Sequence, residues 1–213
     1  MTRSLVSLAV LVLAAAQIPA QSLYEVPKGV ETRWYSFENP DGRRGAGGRT
    51  QEGRKGAANK TIAPGESAVL ADVAGPGVVR RIWLTVPGRK ETLRGWVVRM
   101  YWDGQEWPSV EAPLQDFFGL PFARQVPFES ALFSNPEGRS FNCVVPMPFR
   151  KRALLTITNE SPREATLFYD VNVTVGDALP EVRRALLARG WRDANDPRHG
   201  PDPARVRAWN MDA

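Results

Sequence analysis

The stretch ATLFYDVNVTVG, residues 165–176, alternates apolar and polar side chains more clearly than any other part of this 213-residue chain. Successive side chains of a β-strand point to opposite faces of its sheet, so this period predicts a strand with one buried and one polar face. The face predicted to be buried carries Leu167, Tyr169, Val171, Val173 and Val175. The opposite face carries Thr166, Phe168, Asp170, Asn172 and Thr174.

Two other segments each predict a pair of strands. Residues 66–88 (ESAVLADVAGPGVVRRIWLTVPG) contain two apolar runs separated by the turn sequence GPG at residues 75–77. Residues 95–114 (GWVVRMYWDGQEWPSVEAPL) predict a hairpin, because the Asp-Gly pair at 103–104 is a strong turn signal between alternating segments.

Further short strands are predicted within residues 140–149 and 152–161, whereas residues 113–120 (PLQDFFGL) predict one helical turn or a loop. Short strands joined by Pro/Gly turns, with no βαβ spacing, predict an all-β antiparallel β-sandwich.

The two ends of the chain differ from this pattern. Residues 1–20 combine a cationic Arg3, a short apolar run and a small residue at Ala20, which predicts a signal peptide and a secreted or periplasmic protein; an uncleaved anchor is the alternative. The sandwich is expected over residues 21–179. Residues 180–213 predict a short helix followed by an irregular tail, because Pro180 can begin a helix and periodicity then disappears.

Composition excludes several kinds of site. Cys143 is the only cysteine and His199 the only histidine, so an internal disulfide, a multi-thiolate zinc site and a histidine-rich metal site are excluded. We therefore expect no metal or cofactor, and we interpret Cys143 as a small buried hydrophobic residue. The net charge of +5 is mild and, outside residues 36–61, its cations are scattered among acids, so no nucleic-acid partner is predicted. No segment after the predicted signal peptide could cross a membrane, so no membrane partner is predicted either.

Residues 36–61 (SFENPDGRRGAGGRTQEGRKGAANKT) form a segment rich in glycine and cations. A phosphate-binding loop is excluded, because Asn59 stands before Lys60 where that motif requires glycine. A mobile solvated loop, an arm that contacts nucleic-acid phosphates and part of a binding site remain open.

An acidic side chain lies beside two aromatic rings in the DFF sequence at residues 116–118. This combination is suited to binding a sugar. The alternative is that both rings pack into the core of the sandwich. Tryptophans at strand positions are interpreted as core or sheet-face residues: Trp83, Trp96 and Trp102.

Four segments in order resemble the first half of glycoside hydrolase family 172: SFENPDGRRGAGG (36–48), GPGVVRRIWLTV (75–86), MYWDGQEWPSVEAPLQDFFG (100–119) and FNCVVPMPFRKRALLTITNE (141–160). The resemblance covers about residues 30 to 180. It implies two consecutive jelly-roll β-sandwiches in each chain and trimer-based homo-oligomers. It also implies action on furanosides, such as fructofuranosides and D-arabinofuranosides, by a two-carboxylate mechanism.

The resemblance implies substrate-binding residues in two places. The first is the glycine loop, with Ser36, Glu38, Asn39, Gly47 and Gly48. The second comprises Asp116, Phe117 and Phe118. Gln115 replaces the glycine usual before this second motif.

No catalytic residue is assigned, because the family's catalytic glutamates lie in its second half and no similar segment occurs here. We therefore expect a truncated form whose residues 180–213 begin an inter-domain region. Three functions remain open: a furanosidase-like chain that is inactive alone, a non-catalytic carbohydrate-binding or oligomer-assembly module, and a basic surface-binding protein.

Overall fold

The structure, a computed structural model, describes residues 27–50, 52, 56–87, 90–120 and 124–177. The strands of this part are β1 (Glu31–Tyr35), β2 (Lys60–Ile62), β3 (Ser67–Ala74), β4 (Gly77–Thr85), β5 (Trp96–Trp102), β6 (Val110–Pro113), β7 (Phe128–Glu129), β8 (Phe133–Asn135), β9 (Ser140–Cys143), β10 (Met147–Phe149), β11 (Arg152–Asn159) and β12 (Ala165–Val175). Two short helices are α1 (Lys90–Gly95) and α2 (Leu114–Phe117). The predicted signal peptide and the predicted C-terminal helix lie outside the described residues.

The strands form two antiparallel sheets, which confirms the predicted β-sandwich. In the large sheet the order is β1-β12-β4-β9-β8-β7, with β2 also paired to β12 and β10 also paired to β4. The small sheet has the order β3-β11-β5-β6. Residues 113–120, for which one helical turn or a loop was predicted, contain the helical turn α2.

The GPG turn at residues 75–77 separates two strands as predicted, and it carries the chain from the small sheet to the large one. Here β3 pairs with β11, whereas β4 pairs with β12, β9 and β10. A Cβ atom on Gly75 would collide with the ring of Phe149, which is buried. Glycine is therefore required at this crossing because the chain passes directly over an aromatic ring.

Strand β12 lies between β1 and β4 and supplies much of the core, as its alternating sequence predicts. Leu167, Tyr169, Val171 and Val173 are buried, whereas Val175 is only partly buried. Val175 is the last residue of the strand and lies beside Glu31 and Gly77, so it has no apolar side chain next to it in the sheet, although it still packs against the core. Each fully buried side chain of this kind stabilises the fold by about 1.5–3 kcal/mol, so the four on β12 together contribute several kcal/mol of apolar stabilisation.

The predicted hairpin is formed by β5 and β6. Asp103 and Gly104 have φ values of 56° and 84°, and the N–H of Gln105 donates to the carbonyl of Trp102 at 3.0 Å. These values are typical of a type I′ turn. The Asp103 carboxylate also accepts hydrogen bonds from the backbone N–H groups of Arg150 and Lys151 at 2.8 and 2.7 Å, which fixes the hairpin to the β10–β11 turn.

Cys143 is fully buried in the core, as predicted for a small hydrophobic residue. Burial raises the pKa of its thiol to about 11. No helix in the described ranges has the length and apolar character needed to cross a membrane.

Candidate functional site

The glycine loop leaves the end of β1, the edge strand beside β12, through a tight turn. The N–H of Asn39 donates to the carbonyl of Ser36 at 3.0 Å, and the N–H of Ser36 donates to the carbonyl of Asn39 at 3.3 Å. Gly42 follows with a φ of 59°, packed so closely on the ring of Tyr35 that a Cβ atom would overlap that ring. The predicted residue Ser36 therefore uses its backbone to fix the start of the loop.

The side-chain amide of Asn39 is engaged within this loop. Its Nδ2 donates to the carbonyls of Trp34 and Arg43 at 3.0 and 3.1 Å, and its Oδ1 accepts from the N–H of Arg43 at 2.9 Å. Both amide donors are thus used, and the residue is buried. In this arrangement Asn39 positions the loop, and its amide is not presented to a sugar hydroxyl.

Glu38 lies at the surface and joins separate parts of the same loop. Its Oε1 accepts hydrogen bonds from Thr50 Oγ1 at 2.7 Å and from the N–H of Gly56 at 2.9 Å. The hydrogen bond from Thr50 is the main cause that lowers the pKa of Glu38, and backbone N–H groups including that of Gly48 lower it further. The carboxylate is therefore ionised at neutral pH and is suited to accepting hydrogen bonds rather than to protonating a leaving group.

Gly47 and Gly48 lie in the exposed middle of the loop. A Cβ atom on either glycine would meet no atom within 4 Å, and Gly48 has a φ of 67°. The space beside this backbone is open, as the approach of a ligand would require.

The second predicted group, residues 116–118, comprises the last two residues of α2 and the residue that follows it. This helix packs on α1, β5 and β6. The Asp116 carboxylate forms an ion pair with the Arg94 guanidinium through both oxygens. Phe118 is fully buried, with its ring 4.9 Å from that of Phe117 and 5.5 Å from that of Phe141. Both rings therefore pack against the core of the sandwich, as the alternative prediction has it, with Phe118 buried and Phe117 partly buried.

Gln115, which precedes this group, also has a structural contact. The residue is fully buried, and its Nε2 donates to the carbonyl of Arg124 at 2.8 Å. The two predicted groups of substrate-binding residues lie on different sheets. The glycine loop follows β1 of the large sheet, whereas α2 packs against β5 and β6 of the small sheet.

A further set of side chains, which the sequence did not bring together, lies on the outer face of the large sheet. Trp34, Asn172 and Arg81 form one row across β1, β12 and β4. Asp170, Trp83 and Asn142 form the next row across β12, β4 and β9. We call this set, together with the neighbouring Phe168, the Trp34–Trp83 face.

The members of this face point away from the core, because the residues that alternate with them are buried. Trp34 is 48% exposed, and the other members are partly exposed. Arg81 connects its polar groups: Nη2 donates to Asn142 Oδ1 at 3.1 Å, and Nη1 lies 3.6 Å from Asp170 Oδ1. Alternation in the sequence indicated the outward face of β12 and, on β4, that Arg81 and Trp83 share one face. No sequence pattern indicated that β1, β12, β4 and β9 lie side by side and bring these residues together.

Many carboxylates of the described residues are compensated by a cation. Glu111 and Glu160 both contact Arg99, at 3.3 and 2.6 Å, and Asp72 contacts Arg152 at 2.5 Å. Each of these three carboxylates is therefore held in an ion pair with an arginine. Across residues 27–50, 52, 56–87, 90–120 and 124–177, no three His, Cys, Asp or Glu side chains are grouped so that they could hold a metal ion.

Comparison with known proteins agrees with the resemblance of the four ordered motifs. A family model described as GH172 first beta-sandwich domain matches residues 26–181, which include all four motifs. No curated protein matches the chain. The matched residues make up most of the chain and contain both sheets of the sandwich. The chain therefore belongs to the GH172 family, with residues 26–181 as its first β-sandwich domain.

Proposed function

We propose that this domain recognises furanosides, such as fructofuranosides or D-arabinofuranosides, for a secreted or periplasmic GH172 protein, and that it does not cleave them itself. Membership of a glycoside-hydrolase-related family is the observation that carries the proposal. In this function the sandwich binds and orients sugar, and the catalytic carboxylates belong to a second sandwich.

The state of the acidic side chains supports a binding function over hydrolysis. Retaining and inverting glycosidases both need one carboxyl group that is protonated at the working pH and a second that is ionised. Asp116 is paired with Arg94, and the pKa of Glu38 is lowered by the hydrogen bond from Thr50. The Glu38 carboxyl, with its lowered pKa, therefore lacks the property that a general acid needs.

The glycine loop supports the same function. Asn39 and Glu38 hold the loop in one shape through side-chain hydrogen bonds, while the backbone beside Gly47 and Gly48 stays open. A loop fixed in this way loses little conformational entropy when it binds a ligand.

Calorimetric titration of the full chain with fructofuranosyl and arabinofuranosyl oligosaccharides tests the proposal, with a pyranosyl oligosaccharide as the control. We expect saturable binding to at least one furanosyl series and no release of free sugar on prolonged incubation. Absence of binding to every furanosyl series would contradict recognition. Sugar release that disappears in the Glu38→Gln variant would contradict a non-hydrolytic domain.

The family relation also supports a trimer-based homo-oligomer, which we include in the proposal. Light scattering after size exclusion should give a mass that is a multiple of three chains, and a monomer would contradict it.

Mass spectrometry of the exported protein should show a chain that begins near Gln21. Recovery of the intact N-terminus from the cytoplasm would contradict export.

A further inference from the structure

With the carbohydrate function proposed above as its basis, we propose that the Trp34–Trp83 face is a binding site for a neutral oligosaccharide. Its members share the outer surface of the large sheet, on which Trp34 is exposed and the others are partly exposed, and they come from β1, β4, β9 and β12. Such a site lies on rigid strands, outside both groups that the sequence predicted.

The aromatic members suit the apolar face of a sugar ring. A sugar ring carries C–H groups on its faces and hydroxyls around its edge, so a flat aromatic surface can cover a face while the hydroxyls stay hydrogen-bonded. The two tryptophans are two strands and one row apart, a Cα separation of about 12 Å that suits about two or three sugar rings. Trp34, 48% exposed at the edge of the sheet, provides the more accessible surface.

The polar members suit the hydroxyls at the edge of the ring. Between the two tryptophans lie an amide, a guanidinium and a carboxylate, from Asn172, Arg81 and Asp170. Planar groups of these types can donate to or accept from neighbouring hydroxyls in pairs. The contact of Arg81 with Asn142 at 3.1 Å and its proximity to Asp170 orient these groups before a ligand arrives.

Charge favours a neutral ligand over an anionic one. The guanidinium of Arg81 is balanced by the carboxylate of Asp170, whose side chain is 25% exposed. The face therefore offers no excess of positive charge to a phosphate backbone or an anionic polymer. The core of a protein-binding surface is depleted in charged residues, whereas an ion pair lies at the centre of this face.

Binding of furanosyl oligosaccharides to the full chain carrying Trp34→Ala or Arg81→Met tests the assignment. Trp34 is exposed and Met retains the apolar stem of arginine, so both variants should fold, as checked by circular dichroism and thermal melting. The matched control is Trp107→Ala, because Trp107 is a more exposed tryptophan, at 76%, in the β5–β6 loop of the other sheet.

We expect Trp34→Ala and Arg81→Met each to raise the Kd about tenfold, the effect of losing one ring-stacking or charge-assisted contact. Trp107→Ala should bind as the wild type does. Wild-type affinity in Trp34→Ala or in Arg81→Met overturns the assignment while leaving the carbohydrate function intact. Loss of a protein–protein contact in Trp34→Ala, seen as a change in oligomeric mass at unchanged sugar affinity, also overturns it. If the wild type binds no furanosyl oligosaccharide, the proposed function fails as well.

Discussion

Replacement of Asn39 by alanine should destabilise the sandwich, because this residue fixes the glycine loop to the end of β1. The substitution removes the donors to the carbonyls of Trp34 and Arg43 and the acceptor for the N–H of Arg43. The expected loss is one of stability, since the amide serves the loop itself.

The magnitude follows from these three hydrogen bonds. Each contributes a net 0.5–1.5 kcal/mol, and water can replace part of the loss at a site that is buried but close to the surface, so we expect about 2 kcal/mol. For a chain of this length, that free energy corresponds to a fall in Tm of about 4–8 °C.

Thermal unfolding followed by circular dichroism measures the effect. Asn59→Ala, at an exposed position near the end of the same segment, is the matched control and should change the stability by less than about 0.5 kcal/mol. In Asn39→Asp, an ionised carboxylate would face two carbonyl oxygens and destabilise the fold. The loss of stability of this variant relative to the wild type should therefore shrink as the pH falls and the new carboxyl becomes protonated. A wild-type Tm for Asn39→Ala would refute this reasoning.

Three further predictions concern other parts of the domain. Cys143 should resist iodoacetamide at pH 8 in the native protein and react once urea unfolds it, because burial raises the pKa of its thiol to about 11; rapid native alkylation would contradict this. The lowered pKa of Glu38 stabilises the loop above the unfolded pKa of a glutamate, about 4.3, and this contribution is lost as the pH falls through the folded pKa. Hydrogen exchange of the Gly56 amide should therefore accelerate below pH 4 relative to that in Glu38→Gln, and equal pH profiles would contradict the hydrogen bond. Gly75→Ala should cost about 1–3 kcal/mol by crowding Phe149, with partial recovery in the double variant Gly75→Ala/Phe149→Leu; additive losses would contradict the clash.

The sequence predicted those parts of the fold that depend on local pattern. The buried and outward faces of β12 follow from a period of two residues, which is a property of neighbouring positions alone. The Asp103-Gly104 turn was equally predictable, because such a turn needs positive φ values at two consecutive positions and few residue pairs other than Asn-Gly and Asp-Gly readily adopt them.

Contacts between distant parts of the chain could not be predicted in this way. The row that joins Trp34 to Arg81 passes through Asn172 and depends on a strand order that no local pattern specifies. For the same reason, the pairing of Asp116 with Arg94 was not predictable. The Asn39 amide contacts Trp34 and Arg43, which are near in the sequence, but these contacts depend on the path of the loop, which no local pattern specifies. The resemblance implied that Asn39 binds substrate, and the sequence did not reveal that nearby backbone groups already engage its amide.

Nuclear magnetic resonance of the tryptophan indole N–H groups during titration with a furanosyl oligosaccharide tests the central claim most directly. The measurement observes both tryptophans of the Trp34–Trp83 face and the control Trp107 in one sample, without a substitution that could disturb folding. We predict saturable shifts of the Trp34 and Trp83 indole resonances, with that of Trp107 unchanged. Saturable binding that leaves both resonances in place would contradict recognition of sugar by this face of the GH172 sandwich.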